Sequence, residues 1–143
     1  MRVSIWLFCL SAIACQSTSA PESLVGNTYR LVSINGRSLP AWYYESADGT
    51  YSVGADSARI TFLSPAQIRR AVYIKFTNWS PPAQTDHYLV DAVLGLDVRG
   101  DSIRILGISD PDRGTATSDS VVLALTVFDQ FTSIWRYVRD RHH

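Results

Sequence analysis

The chain has 143 residues, 46% of them hydrophobic, with 13 basic and 13 acidic side chains and a formal net charge of +0 at pH 7. That length suits one domain around one hydrophobic core and leaves little for a second. A charge balance this even gives no footprint for nucleic-acid phosphates, which call for a basic excess or a basic stripe, so nucleic acid is not an expected partner.

In chain order the first element is an address. Arg2 supplies a short positive start, Val3 to Ile13 is apolar apart from Ser4 and Ser11, and the small residues of Ala12-Ile13-Ala14 precede Cys15. This is the pattern of an export signal over residues 1–14. Its end resembles a bacterial lipobox, in which Cys15 is lipidated and becomes the first residue of the mature chain, with Ala12 standing where Leu is commoner. Cleavage after Thr18-Ser19-Ala20 is the first alternative and would give a soluble periplasmic or secreted protein, and an uncleaved anchor is the second. The apolar run is shorter than the ~20 residues a membrane span needs, so the expected attachment is a lipid anchor only. Loss of residues 1–14 removes Cys9 and leaves Cys15 as the one remaining cysteine, which rules out an internal disulfide in the mature chain. A lone exported thiol is best accounted for if it carries lipid. The expected location is the cell envelope, at the outer membrane and facing the periplasm. Residues 15–23 are short of anything to bury and read as a flexible tether.

From Leu24 the dominant signal is period two, broken by turn residues, and the domain over 24–139 reads as all-β. Ala58, Ile60 and Phe62 oppose Ser57, Arg59 and Thr61; Val72, Ile74 and Phe76 oppose Tyr73 and Lys75; Leu94, Leu96 and Val98 oppose Gly95 and Asp97. Each such stretch has one face to bury. Thr28 to Ile34, Val121 to Val127 and Ser133 to Arg139 are apolar on both faces or carry large aromatics, and the total comes to eight or nine strands. Asn35-Gly36 and Asp48-Gly49 are hairpin signals, because the tightest turns place positive φ at residues that tolerate it. Arg99-Gly100-Asp101 and Asp110 to Gly114 mark further turns, and Asn78 to Gln84, with Pro81-Pro82, an irregular loop. Ser64-Pro65-Ala66-Gln67 has the form of a capping box and predicts one short helical turn. Residues 140–143 read as a frayed tail.

Gly26-Asn27-Thr28-Tyr29-Arg30-Leu31-Val32-Ser33-Ile34-Asn35-Gly36-Arg37-Ser38-Leu39-Pro40 resembles the opening of small exported bacterial proteins of the lipocalin-like β-barrel kind. Gly95 to Ile103 and Ile134-Trp135-Arg136-Tyr137 are similar to later steps of the same group. Tyr29 stands in place of the lipocalin Trp, and Leu96 in place of an aromatic. The resemblance implies a single antiparallel up-and-down barrel of about eight strands, and the expected state is a monomer.

Catalytic and metal chemistry find little support. His87 is the one histidine within the domain, flanked by Asp86 and Tyr88, and no G-x-S-x-G elbow accompanies it. The expectation is therefore not an enzyme. Asp110-Pro111-Asp112-Arg113-Gly114 opens like a calcium loop but then lacks the required Gly and the bidentate Glu. His142 and His143 lack partners for a four-ligand site. Neither a metal nor a cofactor is expected. Arg99-Gly100-Asp101 is read as a turn, and Asn78-Trp79-Ser80 as part of a loop.

Aromatics remain as the recognition feature. Trp42-Tyr43-Tyr44 cannot all point to one side of a regular strand, so at least one lies outside the barrel or at its mouth. Trp42, Tyr43 and Trp79 near the mouth, with Phe62 and Phe76 inside, form the candidate binding site for a small apolar ligand. Leu31, Ile60, Ile74, Leu96, Ile105 and Leu123 are further interior candidates. The alternative is a filled barrel that works as an envelope interaction module, with a protein as its partner. An eight-stranded barrel is at the size where either outcome is open.

Overall fold

The structure is a computed structural model and describes residues 24–107, 111–127 and 131–141. The signal segment, Cys15, the tether, Asp110, His142 and His143 lie outside the described residues. Ten strands follow in chain order: β1 (Thr28–Ile34), β2 (Arg37–Ser38), β3 (Ala41–Glu45), β4 (Tyr51–Ser64), β5 (Gln67–Asn78), β6 (Gln84–Arg99), β7 (Ser102–Leu106), β8 (Asp112–Ala116), β9 (Ser120–Val127) and β10 (Phe131–Arg139). Eight of them run β1-β10-β9-β8-β7-β6-β5-β4, and β1 pairs with β4 to close an antiparallel barrel. No helix occurs among the described residues.

Closure rests on three cross-strand pairs, Thr28↔Thr61, Tyr29↔Ile60 and Arg30↔Arg59. Beyond Arg30 the two strands part. The free edge of β1 is then taken by β2 at Ser33 and Ile34, and that of β4 by β3 along Ser52 to Ala55. The hairpin between β1 and β2 turns on Asn35 and Gly36, with φ of 50° and 77°, the geometry their sequence foretold.

Strand lengths make the two ends of the barrel unlike. At the closed end lie the β1–β4 seam and the tight turns at Pro65-Ala66, Gly100-Asp101 and Thr117 to Asp119. At the other end β4, β5 and β6, of 14, 12 and 16 residues, rise well past β7 and β8, of 5 residues each. We call this the long-strand end.

Alternation sorts the side chains as expected. Ile60, Phe62, Ile68, Val72, Leu96, Val98, Ile103, Ile105, Val121, Leu123, Trp135 and Tyr137 all face inward and are buried. Tyr29, Phe62, Ile105, Val121, Leu123 and Tyr137 have 0% exposure, so no water-sized void touches them and the barrel axis there is filled by side chains. Tyr29 meets Phe62 edge to face at 5.6 Å and its hydroxyl donates to the Thr117 carbonyl at 2.9 Å, which seals the closed end.

Two expectations fail. Ser64 and Gln67 pair directly across the β4–β5 hairpin, so Pro65-Ala66 forms a two-residue turn and no helical turn. Gln67 is held in the β5 ladder, and this outweighs the local capping preference. The segment around Asp112 to Gly114, expected as turn, is strand β8, with Gly114 opposite Leu123. A Cβ on Gly114 would lie 1.8 Å from the Val122 carbonyl oxygen, so glycine is needed here for close backbone approach, not for a turn.

Candidate functional site

The aromatic run on β3 is resolved by a bulge. Trp42 pairs with Gly54 and Tyr44 with Val53, leaving Tyr43 as the extra residue. Tyr43 and Tyr44 both reach inward as a result. Tyr43 packs on Trp135 at 5.2 Å, and Trp135 stacks on Tyr137 at 6.5 Å. Tyr44 meets Phe131 at 5.5 Å and Tyr51 at 5.7 Å, and Tyr51 stacks on Phe76 at 5.4 Å. These rings line the inside of the long-strand end. Tyr43, Tyr44, Tyr51 and Phe76 are only partly buried and Phe131 is 49% exposed, so ring surface is open to solvent there.

Trp42 takes the outer side. It meets Trp79 edge to face at 6.1 Å, and Lys75 Nζ sits 4.9 Å from the centre of its ring. Trp79 Nε1 donates to Ser52 Oγ at 2.8 Å, which ties the Asn78 to Gln84 loop down onto β4. The hollow beside Trp42, lined by Pro40, Gly54, Ala55 and Lys75, holds only about 30 Å³. That is room for a water molecule, well short of the ~300 Å³ where small-ligand pockets begin.

The five aromatics singled out in the sequence therefore occupy three places. Trp42 and Trp79 form an outer pair, Tyr43 and Phe76 belong to the inner cluster, and Phe62 lies buried against Tyr29 at the closed end. Tyr44, Tyr51 and Phe131 were not singled out as site residues. For Tyr51, the register with Asn78 is what adds it to the Phe76 side, and one-dimensional alternation does not reveal that. Of the interior candidates, Ile60, Ile105 and Leu123 are sealed in the core, whereas Ile74 is partly buried nearer the long-strand end.

A charged pair lies below the rings. Arg70, between Ile68 and Val72 on the inward face of β5, makes a salt bridge to Asp112 of β8, whose side chain is 3% exposed. Burial pushes the Asp112 carboxyl above its ordinary range, outweighing the attraction of Arg70. Burial likewise raises Tyr43 to about 12 and raises Tyr137 as well, with Arg70 opposing both. Tyr137 Oη finds no hydrogen-bond partner among the described residues.

On the outside, the parting of β1 and β4 leaves a hollow of about 670 Å³ lined by Arg30, Leu31, Arg59, Arg69, Tyr73 and Leu89 among others. Arg30 and Arg59 stand directly opposite each other, an unfavourable like-charge cross-strand pair. Arg69 is neutralised by Asp91, with Nε donating to Oδ1 at 2.9 Å.

His87 Nδ1 lies 2.8 Å from Asp56 Oδ2, an exposed contact, and no serine hydroxyl bonds the ring among the described residues. Gly100 of the Arg99-Gly100-Asp101 turn has φ 60°, and Asn78 Oδ1 accepts from the Ser80 amide at 2.9 Å. Among the described residues no group of three His, Cys, Asp or Glu side chains is placed to hold a metal ion.

Fold and site together define a closed eight-stranded antiparallel barrel, compatible with the lipocalin-like architecture, that has a filled closed end and an aromatic long-strand end. Comparison with protein-family models, curated proteins and solved structures returned no match.

Proposed function

We propose that this protein is a noncatalytic binding module of the cell envelope, held by lipid on Cys15, and that its ligand is small and apolar. The observation that carries this reading is the partly open ring surface of Tyr44, Tyr51, Phe76 and Phe131 at the long-strand end. Aromatic faces left wet at a barrel mouth offer large apolar area at low entropic cost to an occupant. The filled axis below moves the binding place from the barrel interior to its rim.

Titration with N-phenyl-1-naphthylamine, a neutral apolar fluorophore, tests it. Saturable emission enhancement is expected, weakened at least tenfold by Phe76→Ala and unchanged by Trp42→Ala. Enhancement that does not saturate, or that ignores Phe76→Ala, overturns the reading. Mass spectrometry of the mature N-terminus tests the anchor: a diacylated or triacylated Cys15 supports it, and a chain beginning at Pro21 refutes it.

A second reading has its own support. The sealed core around Phe62, Ile105 and Leu123 suits a structural or protein-interaction module of the envelope that carries no small ligand.

A further inference from the structure

The upper part of β6 has an open edge. β5 pairs with β6 without a bulge from Gln67↔Gly95 to Asn78↔Gln84, but β7 pairs only with Gly95 to Arg99. Among the described residues nothing pairs with the outer edge of Gln84 to Leu94. Leu96 donates its amide to the Ala66 carbonyl at 2.8 Å across the β5 side. In an antiparallel ladder the groups turned to one neighbour alternate, so the even-numbered residues of β6 bond β5. Thr85, His87, Leu89, Asp91 and Val93 therefore turn their amides and carbonyls outward.

This edge is only lightly blunted. Such edges are kept short, bulged, or marked with proline or charged side chains, lysine above all, and here only Asp86 and the Arg69-paired Asp91 carry charge. Gln84 to Leu94 contains no proline and no lysine, and it carries Tyr88, Leu89, Val90 and Val93 at 53%, 52%, 47% and 57% exposure. Tyr73 on β5, directly opposite Leu89, is 51% exposed and widens the apolar strip.

We propose that the edge is an interface for a second copy of this chain, joined by antiparallel β6–β6 pairing about a two-fold axis at Leu89. In that register the exposed apolar residues of the edge fall against one another across the axis, Leu89 on Leu89 and Tyr88 on valine. An axis at Leu89 sets Leu89 on its own symmetry mate and Thr85 opposite the partner copy's valine at 93, while His87, held by Asp56, faces the partner copy's position 91, whose carboxylate is held by its own Arg69. On the other face, Tyr88 meets valine, an aromatic to β-branched pair of the favourable kind. An axis at Asp91 would oppose two carboxylates. An axis at Tyr88 would set Leu89 against histidine, and one at Val90 would set it against aspartate. Outward-turned residues form the hydrogen-bonded pairs, so each pair exchanges two main-chain hydrogen bonds and the exposed apolar side chains are covered in the same step. The proposal departs from the sequence-based expectation of a monomer, and it is independent of any ligand at the long-strand end.

The register makes a testable geometric statement. Hydrogen-bonded antiparallel pairs hold Cα atoms about 5.5 Å apart, within the span a disulfide bridges. In the full chain carrying Cys9→Ser and Cys15→Ser, so that introduced thiols stand alone, Leu89→Cys is expected to oxidise to a covalent dimer. Thr85→Cys and Val93→Cys are expected to do so only when combined in one chain. Sedimentation equilibrium of the uncrosslinked protein should show a monomer–dimer equilibrium, with the dimer dissociation constant raised at least tenfold by Leu89→Lys, which places two like charges on the axis. Leu89→Pro removes an outward amide at a position where an edge strand admits proline, and should dissociate the dimer while far-UV circular dichroism is retained. If Leu89→Pro fails to fold, Leu89→Lys carries the test alone. One chain mass at every loading concentration overturns the proposal. So does a dimer that persists in Leu89→Lys, which would place the interface elsewhere, or an edge occupied by a different protein's strand in place of a second copy.

Discussion

Arg70 and Asp112 are the two residues on which the interior turns. Their salt bridge spans the barrel from β5 to β8 in surroundings that raise the carboxyl's pKa by burial. Removing one partner leaves the other charge buried and unpaired, which typically costs about 3–5 kcal/mol, whereas replacing both by apolar groups is close to neutral. Urea unfolding of Arg70→Met should therefore show a loss of that size, and Arg70→Met/Asp112→Leu should recover most of it; additive losses would contradict the account. Asp48 acts in the opposite sense at the surface. Hydrogen bonds from Ser46 and from the amide and hydroxyl of Thr50 hold its carboxyl down at about 2, against 3.8 when free. Its contribution is complete above pH 3.8 and is lost as pH falls through about 2. The urea midpoint of Asp48→Asn should accordingly depend less on pH across that window than that of the parent, while Asp112 contributes a slope of the other sign, stability falling as pH rises from 3.8. Arg70 was not singled out in the sequence, where the alternation read for this strand began at Val72. Nor was its partner, because Asp112 read as part of a turn and only the β7–β8–β9 pairing turns it inward.

Elements were legible where alternation was regular and illegible where backbone contacts between strands decided. The hairpins at Asn35-Gly36 and Gly100, and the inward faces of β4, β5 and the lower half of β6, follow from period two and turn chemistry alone. The bulge at Tyr43 could be anticipated only as a conflict, three aromatics that a regular strand cannot place on one side. The outer position of Trp42 and Trp79 depends on which way that conflict is settled. β8 was missed because its glycine looked like a turn residue, when it is there to let β8 and β9 touch. Gly114→Ala would drive a Cβ into the Val122 carbonyl and backbone, and overpacking of this kind costs about 1–3 kcal/mol or more. Gly95→Ala is the control. Its Cβ would come 3.2 Å from Leu106 Cβ, a tight contact but far milder than the 1.8 Å approach at Gly114, so a smaller drop in thermal midpoint is expected there; equal drops would contradict the distinction.

For the molecule as a whole, the decisive act is closure. β1 pairs with β10 over Tyr29↔Arg139 and with β4 over three positions, so the first strand cannot be placed until the last is in hand. Such long-range pairing belongs to the slow class of folding topologies, with relaxation in about milliseconds to seconds. Stopped-flow refolding followed by Trp fluorescence should fall in that range, and a microsecond phase carrying the full amplitude would argue against late closure. The barrel class itself was readable, since period two with frequent turns leaves few other ways to hide so many edges. The asymmetry between the two ends was not, because it depends on how far each strand finds a neighbour. That asymmetry gives the molecule a polarity. Leu24 is buried near the seam, and the Asp140 amide donates to the Thr28 carbonyl at 2.8 Å, so both ends of the described chain leave from the closed end. Leu24 and Arg141, the outermost described residues at either end of the chain, therefore both belong to the closed end, the pole opposite the aromatic rim. A segment spliced directly onto either of them would start its path there and leave the rim and the bare flank of β6 uncovered at its root.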